Sequence, residues 1–179
     1  MKKKLPKCKC CKERFVPFNN NSLQKYCMEK DECVKAFYLS SKEKLLCEKV
    51  KVMKEGLLTH KDYIKLLQTV FNTYIRKRDK DLPCVSCGTL KAEEFHAGHY
   101  IASTFQYLRF NEFNVWKQCS RCNTHLRGNS IPYRIELINR IGLQEVERLE
   151  NERHLKFDKS IPELKELIKI YREKVKQLK

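Results

Sequence analysis

The residues with the clearest chemistry lie between positions 84 and 129. Two Cys-x-x-Cys pairs, Cys84 with Cys87 and Cys119 with Cys122, enclose two histidines, and an asparagine follows the last cysteine directly. Structural zinc takes four soft ligands in a tetrahedron, and each Cys-x-x-Cys turn supplies two thiolates from one tight knuckle. The spacing therefore predicts a zinc site built from these four cysteines, with disulfides and plain buried thiols as the alternatives.

A second cysteine set lies near the start of the chain. Cys8 and Cys11 form another Cys-x-x-Cys pair, and Cys27 and Cys33 offer two more thiolates at a looser spacing. We expect a second structural zinc ion here, in a small zinc ribbon or treble-clef-like module. Cys10 leaves the choice within the first pair open, although Cys8 and Cys11 have the better spacing. So short a module needs a small core beside its metal, and three aromatic residues are expected to form it: Phe15, Phe18 and Tyr26.

The two histidines between the knuckles, His96 and His99, lie in a short strand-like segment. Side chains alternate along a strand, so a regular strand would not let both histidines face one metal, although Gly98 between them could permit a bend. After the second knuckle the sequence reads as a helix start, which would place Asn123 and Arg127 on one face. A neutral imidazole can take a proton from water near neutral pH. This segment is therefore the candidate site for catalysis.

These motifs resemble a known group of nucleases. The Cys-x-x-Cys, the strand that ends in histidine and the final C-x-x-C-N are similar to the ββα-metal (HNH) nuclease finger in its zinc-knuckle form. More narrowly, H-A-G-H-Y at 96–100, N-V-W-K-Q-C-S-R-C-N at 114–123 and L-R-G-N at 126–129, with a following Tyr133, resemble the lambdoid-phage NinG (Rap) recombination protein family. The amino-terminal cysteine cluster also belongs to that family's pattern, so the resemblance covers most of the chain.

The resemblance implies a structure-specific DNA endonuclease that acts on branched recombination intermediates such as Holliday junctions. It makes His99 the general base that activates water, Asn114 the residue that braces the loop holding that histidine, and Asn123 a ligand or positioner of a divalent metal. Magnesium or manganese would accept oxygen ligands, keep several waters and neutralise the charge that develops on the scissile phosphate.

The chain departs from the finger pattern at one position. Many fingers of this type carry an acidic residue immediately before the catalytic histidine, and this chain has Gly98 there. A metal ligand is then missing. We favour His96 as its replacement, with Glu94 and Asn129 as alternatives, and the plain reading of His96 is a hydrogen bond within the zinc module.

The composition points to a polyanionic partner. The 179 residues include 38 Lys and Arg against 22 Asp and Glu, a formal net charge of +16, and no apolar run is long enough to span a bilayer. DNA suits this charge best, while RNA, acidic membrane surfaces and acidic proteins are the other candidates. The basic residues nearest the finger are expected to contact phosphates: Lys117, Arg121, Arg127, Arg76 and Arg78.

Cysteine usage and the chain start indicate the compartment. The ten cysteines follow a start, Met1-Lys2-Lys3-Lys4, without an apolar export segment, so we expect a reducing cytoplasm, that of the host cell for a phage-encoded protein. No Gly-x-x-x-x-Gly-Lys loop is present, and no nucleotide cofactor is expected.

The pattern between the cysteine sets is helical, so the expected fold class is α+β and mostly helical, with flanking helices around the zinc modules. The expected segments are a zinc-ribbon-like module at 1–38, a basic helical region at 39–82, the nuclease finger at 83–130 and carboxy-terminal helices at 131–179. Cys47 should be a buried thiol on the first helix. The last helix, capped by Ser160, could pack on the body or pair with a second copy, which leaves a homodimer open.

Two functions of different class follow. The leading one is a divalent-metal-dependent endodeoxyribonuclease with His99 as the base. The rival is a non-catalytic zinc protein that binds nucleic acid or a partner in phage recombination, which needs nothing from His99 or Asn123. An RNA-directed nuclease is a third possibility, because phosphates dominate affinity for either polymer.

Overall fold

The computed structural model of the protein describes residues 5–21 and 23–178, so the basic start at 1–4 lies outside it. The chain forms two compact units, residues 1–58 and 59–179. The segment boundary that we predicted between residues 38 and 39 lies inside the first long helix, Asp31–Gly56. Helices dominate both units, and the described residues include one two-stranded sheet. None of the described helices has the length and apolar character that a bilayer crossing requires.

The first unit consists of a knuckle, a loop and one long helix. An antiparallel bridge between Lys7 and Arg14 closes the knuckle, a 3-10 turn follows at Phe18–Asn20, and helix α1 spans Asp31–Gly56. Of the three aromatic residues expected in the small core, Phe15 is buried and Tyr26 packs against the cysteines. The expectation for Phe18 is wrong: its side chain is 77% exposed on the turn.

Helix α1 leaves most of its apolar residues in solvent. Cys33 in its first turn is buried, and its apolar residues farther along are exposed: Leu39, Leu45, Leu46, Val50 and Met53. Cys47, which we expected to be a buried thiol, is exposed as well. The reason is that the described part of this unit contains no second long helix against which the apolar side chains of α1 could pack.

The second unit is built on two packed helices. Helix α2 spans His60–Arg78 and begins with a capping box in which Thr59 and Asp62 exchange hydrogen bonds. Helix α5 spans Ile161–Gln177 and begins with the same device, formed by Ser160 and Glu163. These boxes satisfy the first backbone N–H groups of each helix, as the sequence predicted. The buried residues between the two helices are Tyr63, Leu67, Phe71, Leu164, Ile168 and Tyr171. The apolar face of α5 therefore packs on the body of its own chain.

Two shorter helices and an inserted turn form the other part of this core. Helices α3, Ser130–Ile141, and α4, Leu143–Glu152, are separated by Gly142 at a φ of 83°, a left-handed conformation that glycine adopts at no steric cost. A 3-10 turn at Gln106–Leu108 inserts Leu108 between them. The shared cluster contains six buried residues: Val85, Leu108, Tyr133, Leu137, Val146 and Leu149.

The sheet is an antiparallel hairpin. Strand β1 spans Phe95–His99 and strand β2 spans Val115–Cys119, with Phe95 opposite Cys119 and His99 opposite Val115. The regular helix expected at 122–127 is instead a five-residue π-helical turn, Arg121–His125, followed by Arg127 at a φ of 49°. Asn123 and Arg127 therefore do not share the face of a regular helix.

A buried ion pair joins the end of α2 to β2. The Asp79 side chain is 1% exposed; it accepts hydrogen bonds from the Arg78 guanidinium at 2.6 and 2.9 Å and from the backbone N–H of Lys117 at 3.0 Å. The same guanidinium donates to the carbonyls of Glu112 and Val115 at 3.0 and 2.9 Å. Every partner is needed, because a buried charge without partners strongly disfavours folding. This network fixes the position of the hairpin on the helical core.

Candidate functional site

The cysteine set of the first unit is assembled from the knuckle, the loop and α1. The Sγ atoms of Cys8, Cys11, Cys27 and Cys33 all lie within 4.8 Å of one another. Cys8 and Cys33 are 3.7 Å apart, and Cys11 and Cys27 are 3.9 Å apart. The thiol of Cys10 points to a backbone carbonyl, 3.8 Å away, so the choice of Cys8 and Cys11 as the ligand pair is the one that the geometry supports.

The cysteine set of the second unit joins two knuckles that are distant in sequence. Cys84, Cys87, Cys119 and Cys122 again lie within 4.8 Å of one another, with 3.8 Å between the Sγ atoms of Cys87 and Cys119. Gly88 closes the first knuckle at a φ of 72°, which a residue with a side chain rarely adopts. Because Cys119 ends β2, the set ties that end of the hairpin to the segment that precedes it.

Both sets have the dimensions that zinc requires. With Zn–S bonds of about 2.3 Å, the edges of a tetrahedron are about 3.8 Å long. The three sulfur pairs quoted above are 3.7, 3.8 and 3.9 Å apart, so each set could hold one zinc ion between its four thiolates.

Backbone N–H groups favour the thiolate form at one cysteine of each set, whereas the pKa values of Cys11, Cys33, Cys119 and Cys122 are raised. At Cys84 burial raises the pKa, but three backbone N–H groups, including that of Cys119 at 3.3 Å, outweigh it and lower the pKa to about 7. At Cys8 burial likewise raises the pKa, and backbone N–H groups, including that of Cys27 at 3.3 Å, lower it to about 6. In the second unit the Asn129 amide also donates to the Cys122 sulfur, at 3.5 Å. The amide nitrogen of Asn129 therefore contacts the cysteine set.

His99 is the last residue of β1, and its ring has a fixed orientation. Its Nε2 lies 3.0 Å from the carbonyl oxygen of Arg109, which can only accept, so Nε2 carries the proton and Nδ1 is the acceptor of the neutral ring. Burial lowers the pKa of His99, and the nearby Arg109 charge lowers it further, against the opposite effect of the carbonyl hydrogen bond. The neutral form that a general base requires is therefore favoured.

Asn114 holds the loop that supplies this carbonyl. The side chain is fully buried; its amide donates to the carbonyls of Ile101 and Leu108, both at 3.0 Å, and its carbonyl accepts from the Ile101 N–H at 2.8 Å. Leu108 is itself buried in the core, one residue before Arg109. These contacts span both ends of the loop that follows His99.

His96 and Asn123 meet on the other side of the hairpin end. The Nδ1 atom of His96 lies 3.0 Å from the Asn123 side-chain amide, and its Nε2 lies 3.2 Å from the carboxylate of Glu94. A carboxylate on one imidazole nitrogen directs the lone pair of the other toward a ligand, as in many metal sites. The structure thus brings together His96 and Asn123, with Glu94 behind His96, while the ring of His99 contacts Arg109 instead.

Sequence reasoning missed Gln118. This residue lies on β2 directly opposite His96 and is fully buried. Its Nε2 donates to the Ser86 hydroxyl and to the Gly128 carbonyl, both at 2.6 Å. The signal that could have found it is the pairing of the two strands, which places a long polar side chain beside the histidine.

Two of the basic residues expected at phosphates are structural. The Lys117 ammonium donates to the Lys80 carbonyl at 2.8 Å, and the residue is only 5% exposed. The Arg78 guanidinium is used by Asp79 and by two backbone carbonyls. Both assignments to nucleic acid are corrected, because these cations are already occupied within the fold. The remaining basic residues of that prediction are exposed: Arg76, Arg121 and Arg127.

The described residues contain no third set of three or more His, Cys, Asp or Glu ligand atoms within 4.8 Å of one another.

Fold and site together define a class: a mostly helical two-unit protein with two four-cysteine sets that could hold zinc and a small histidine-bearing hairpin. The chain belongs to the NinG family, since the family model described as "Bacteriophage Lambda NinG protein" matches residues 1–179.

Several relatives named "Protein ninG" agree with this assignment. The protein of Escherichia phage 933W is 38% identical over 190 residues, which cover 97% of this chain and 93% of the relative. The protein of Escherichia phage lambda is 44% identical over 133 residues, which cover 74% of this chain and 65% of the relative. The protein of Salmonella phage P22 is 41% identical over 133 residues, with the same coverage of both chains. No solved structure matches the chain.

The cysteine sets generate a prediction about metal content. Replacing Cys11 by Ser should lower bound zinc from two ions per chain to one, because the altered set retains three thiolates. Replacing Cys10 by Ser should leave two, since Cys10 lies outside the set. Zinc measured by native mass spectrometry on both variants checks this. Equal zinc in the Cys10 and Cys11 variants would contradict the ligand assignment.

Proposed function

We propose that this protein is a divalent-metal-dependent endonuclease that hydrolyses phosphodiester bonds of branched DNA, such as Holliday junctions. The observation that carries the proposal is the fixed tautomer of His99, whose Nε2 is held by the Arg109 carbonyl so that Nδ1 is left as the acceptor. The preference for branched DNA rests on the resemblance to the recombination protein family. In this proposal the hairpin, the second cysteine set and the following turn act as an HNH-like finger.

His99 has the proton-transfer role. Its neutral ring accepts a proton from the attacking water at Nδ1, and the Arg109 carbonyl then stabilises the resulting imidazolium through the retained Nε2–H bond. Asn114 acts through the loop: its hydrogen bonds to Ile101 and Leu108 keep the Arg109 carbonyl at the ring. Asn114 is therefore a positioning residue.

His96 and Asn123 are the residues that would hold the divalent cation. The NH₂ group of Asn123 donates to His96 Nδ1 at 3.0 Å. Rotation of the amide by 180° would bring its oxygen beside the same nitrogen, so that an imidazole nitrogen and an amide oxygen would both be available to a cation. When bound, magnesium or manganese supplies a positive charge that stabilises the developing phosphorane and the leaving oxygen.

The basic surface supplies affinity for the phosphate backbone. Arg121 and Arg127 flank Asn123 in the turn after the second knuckle, and both are exposed. With Arg76 and a formal net charge of +16, they support binding to a polyanion.

The rival function is a zinc protein that binds branched DNA without cutting it. It uses the same two cysteine sets and the same basic surface. It gives no reason for a half-buried histidine whose tautomer is fixed by a braced loop, and that observation favours the enzyme.

The first prediction of the proposal concerns His99. The His99→Ala variant should cut a four-way junction about 10²- to 10⁴-fold more slowly in the presence of manganese, the range for losing a general base, and should bind it as the parent does. His154→Ala, an exposed histidine outside the site, is the matched control and should cut normally. Cleavage of labelled junction DNA and gel retardation provide the two measurements. Parental cutting by the His99 variant would refute the catalytic role, and retardation without cutting by the parent would favour the rival.

The second prediction concerns pH. Protonation of His99 removes the base, so the cleavage rate should fall about tenfold per pH unit below its pKa, and burial places that pKa below the ordinary value of about 6.5. The single-turnover rate should therefore hold from neutral pH down past pH 6.5 before it declines. Junction binding measured over the same range controls for loss of the complex. A decline that begins well above pH 6.5 would argue against His99 as the titrating base.

The third prediction concerns the arginines of the turn. Arg121→Ala and Arg127→Ala should each weaken junction binding and lower the slope of log K against log salt concentration by about one, the effect of one lost phosphate contact. Lys169→Ala, an exposed cation in α5, is the control of equal charge and should leave the slope unchanged. Fluorescence anisotropy at several salt concentrations gives the slopes. Equal slopes for all variants would remove this turn from the DNA interface.

A further inference from the structure

Gln118 carries a buried oxygen that the fold does not use. Its side chain is fully buried, and Oε1 has no hydrogen-bond partner among the described residues. The Nε2 atom of the same amide has two partners, the hydroxyl of Ser86 and the carbonyl of Gly128. One half of the amide is thus fully satisfied and the other half is not.

The orientation of this amide is forced. The Gly128 carbonyl can only accept a hydrogen bond, so the NH₂ group must face it, at 2.6 Å. The reversed amide would place two acceptor oxygens against each other. Oε1 must therefore point away from Gly128, toward the hairpin.

Oε1 occupies the space that a side chain at position 98 would fill. A Cβ built on Gly98 would lie 2.2 Å from Gln118 Oε1 and 2.8 Å from Gln118 Cβ, which no residue other than glycine could tolerate without displacing Gln118. The absence of a side chain at Gly98 on β1 therefore leaves the space that the long side chain of Gln118 on β2 fills.

Two candidate ligands, His96 and Asn123, are related to Gln118 by strand pairing and by a shared hydrogen-bond partner. His96 lies directly opposite Gln118 in the strand pairing, and side chains of opposed residues share one face of a hairpin. Asn123 bonds to His96 at 3.0 Å, and its backbone carbonyl accepts from the Gly128 N–H at 3.1 Å, so Asn123 and Gln118 meet at the same glycine. The His96 side chain is 30% exposed, which leaves room for water ligands of a cation.

We infer that Gln118 Oε1 is a third protein ligand of the divalent cation held by His96 and Asn123, standing where the chain has no acidic side chain at position 98. This inference rests on the proposed function, because it completes the same metal site. A carbonyl oxygen is a ligand that magnesium and manganese accept, and ligation satisfies the one polar atom of Gln118 that the fold leaves without a partner.

The test measures metal affinity rather than cleavage. Manganese binding to the full chain, loaded with zinc, is followed by the electron paramagnetic resonance signal of free Mn²⁺. Gln118→Met keeps the length of the side chain but removes Oε1 together with the Nε2 hydrogen bonds to Ser86 and Gly128, and its Kd for manganese should rise at least about tenfold. Ser86→Ala is the matched control: it removes a partner of Nε2 but keeps Oε1, and its Kd should equal that of the parent.

A second substitution protects the test against misfolding. Gln118→Glu keeps an oxygen at the Oε1 position and adds a negative charge, although its second oxygen replaces the Nε2 donor that faces the Gly128 carbonyl. Its Kd for manganese should therefore fall below that of Gln118→Met, and manganese should raise its Tm more than it raises the Tm of Gln118→Met. Zinc content of two ions per chain verifies the fold of each variant. Parental manganese affinity in both Gln118 variants would overturn the inference.

The His96→Ala variant separates this inference from the proposed function. If His96→Ala weakens manganese binding and Gln118→Met does not, the metal site stands without Gln118 as a ligand. If the parent cuts junction DNA but neither substitution changes manganese binding, the enzyme remains and its metal lies elsewhere. If the parent neither cuts DNA nor binds manganese, both proposals fall.

Discussion

The hairpin of the second unit depends on the cysteine set in which the thiols of Cys84 and Cys87 meet those of Cys119 and Cys122. A two-stranded hairpin is marginally stable by itself, because it buries too little apolar surface to offset the entropy of ordering its strands. Here the cysteine set closes one end of the hairpin and the Asp79 network fastens β2 to the helical core. With both constraints in place, five residues per strand suffice to present two histidines at fixed positions.

The cysteine set fixes one end of the hairpin, and the neutral side-chain amide of Asn114 fixes the other end. Asn114 is buried and all of its side-chain polar atoms have partners in the loop that follows β1. A fully satisfied buried polar group specifies one conformation, because any other would leave it unpaired at a large energetic cost. The position of the Arg109 carbonyl, and with it the tautomer of His99, is therefore a consequence of core packing around Leu108. The imidazole is oriented by the fold before any substrate arrives.

Local patterns in the sequence predicted the local parts of this structure. The Cys-x-x-Cys spacings gave both ligand sets, and the capping boxes gave the starts of α2 and α5, because both signals depend on residues within one turn. Apart from the regular helix expected after Cys122, the errors concern burial. Lys117 and Arg78 are basic residues of the type that contacts phosphates. Each nevertheless donates a hydrogen bond to a carbonyl 37 positions away in sequence, a contact that no local pattern reveals. Cys47 was expected to be buried and is exposed, because an apolar pattern on a helix does not reveal whether another element packs on that face.

The sequence of β1 around Gly98 does not show which groups the neighbouring strand β2 places beside it. A motif read along β1 records only the missing acidic residue, whereas the space beside Gly98 contains an oxygen from β2. In the proposed site the ligands would be an imidazole and two amides, and all three are uncharged. Affinity for a divalent cation rises with the number of charged ligands, so such a site binds its metal weakly alone and more tightly once a phosphate oxygen joins it. Metal binding and DNA binding would then reinforce each other by the same factor, since the coupling between two ligands is reciprocal. A site of this composition would bind its cation in the free protein and bind it more tightly in the complex with DNA.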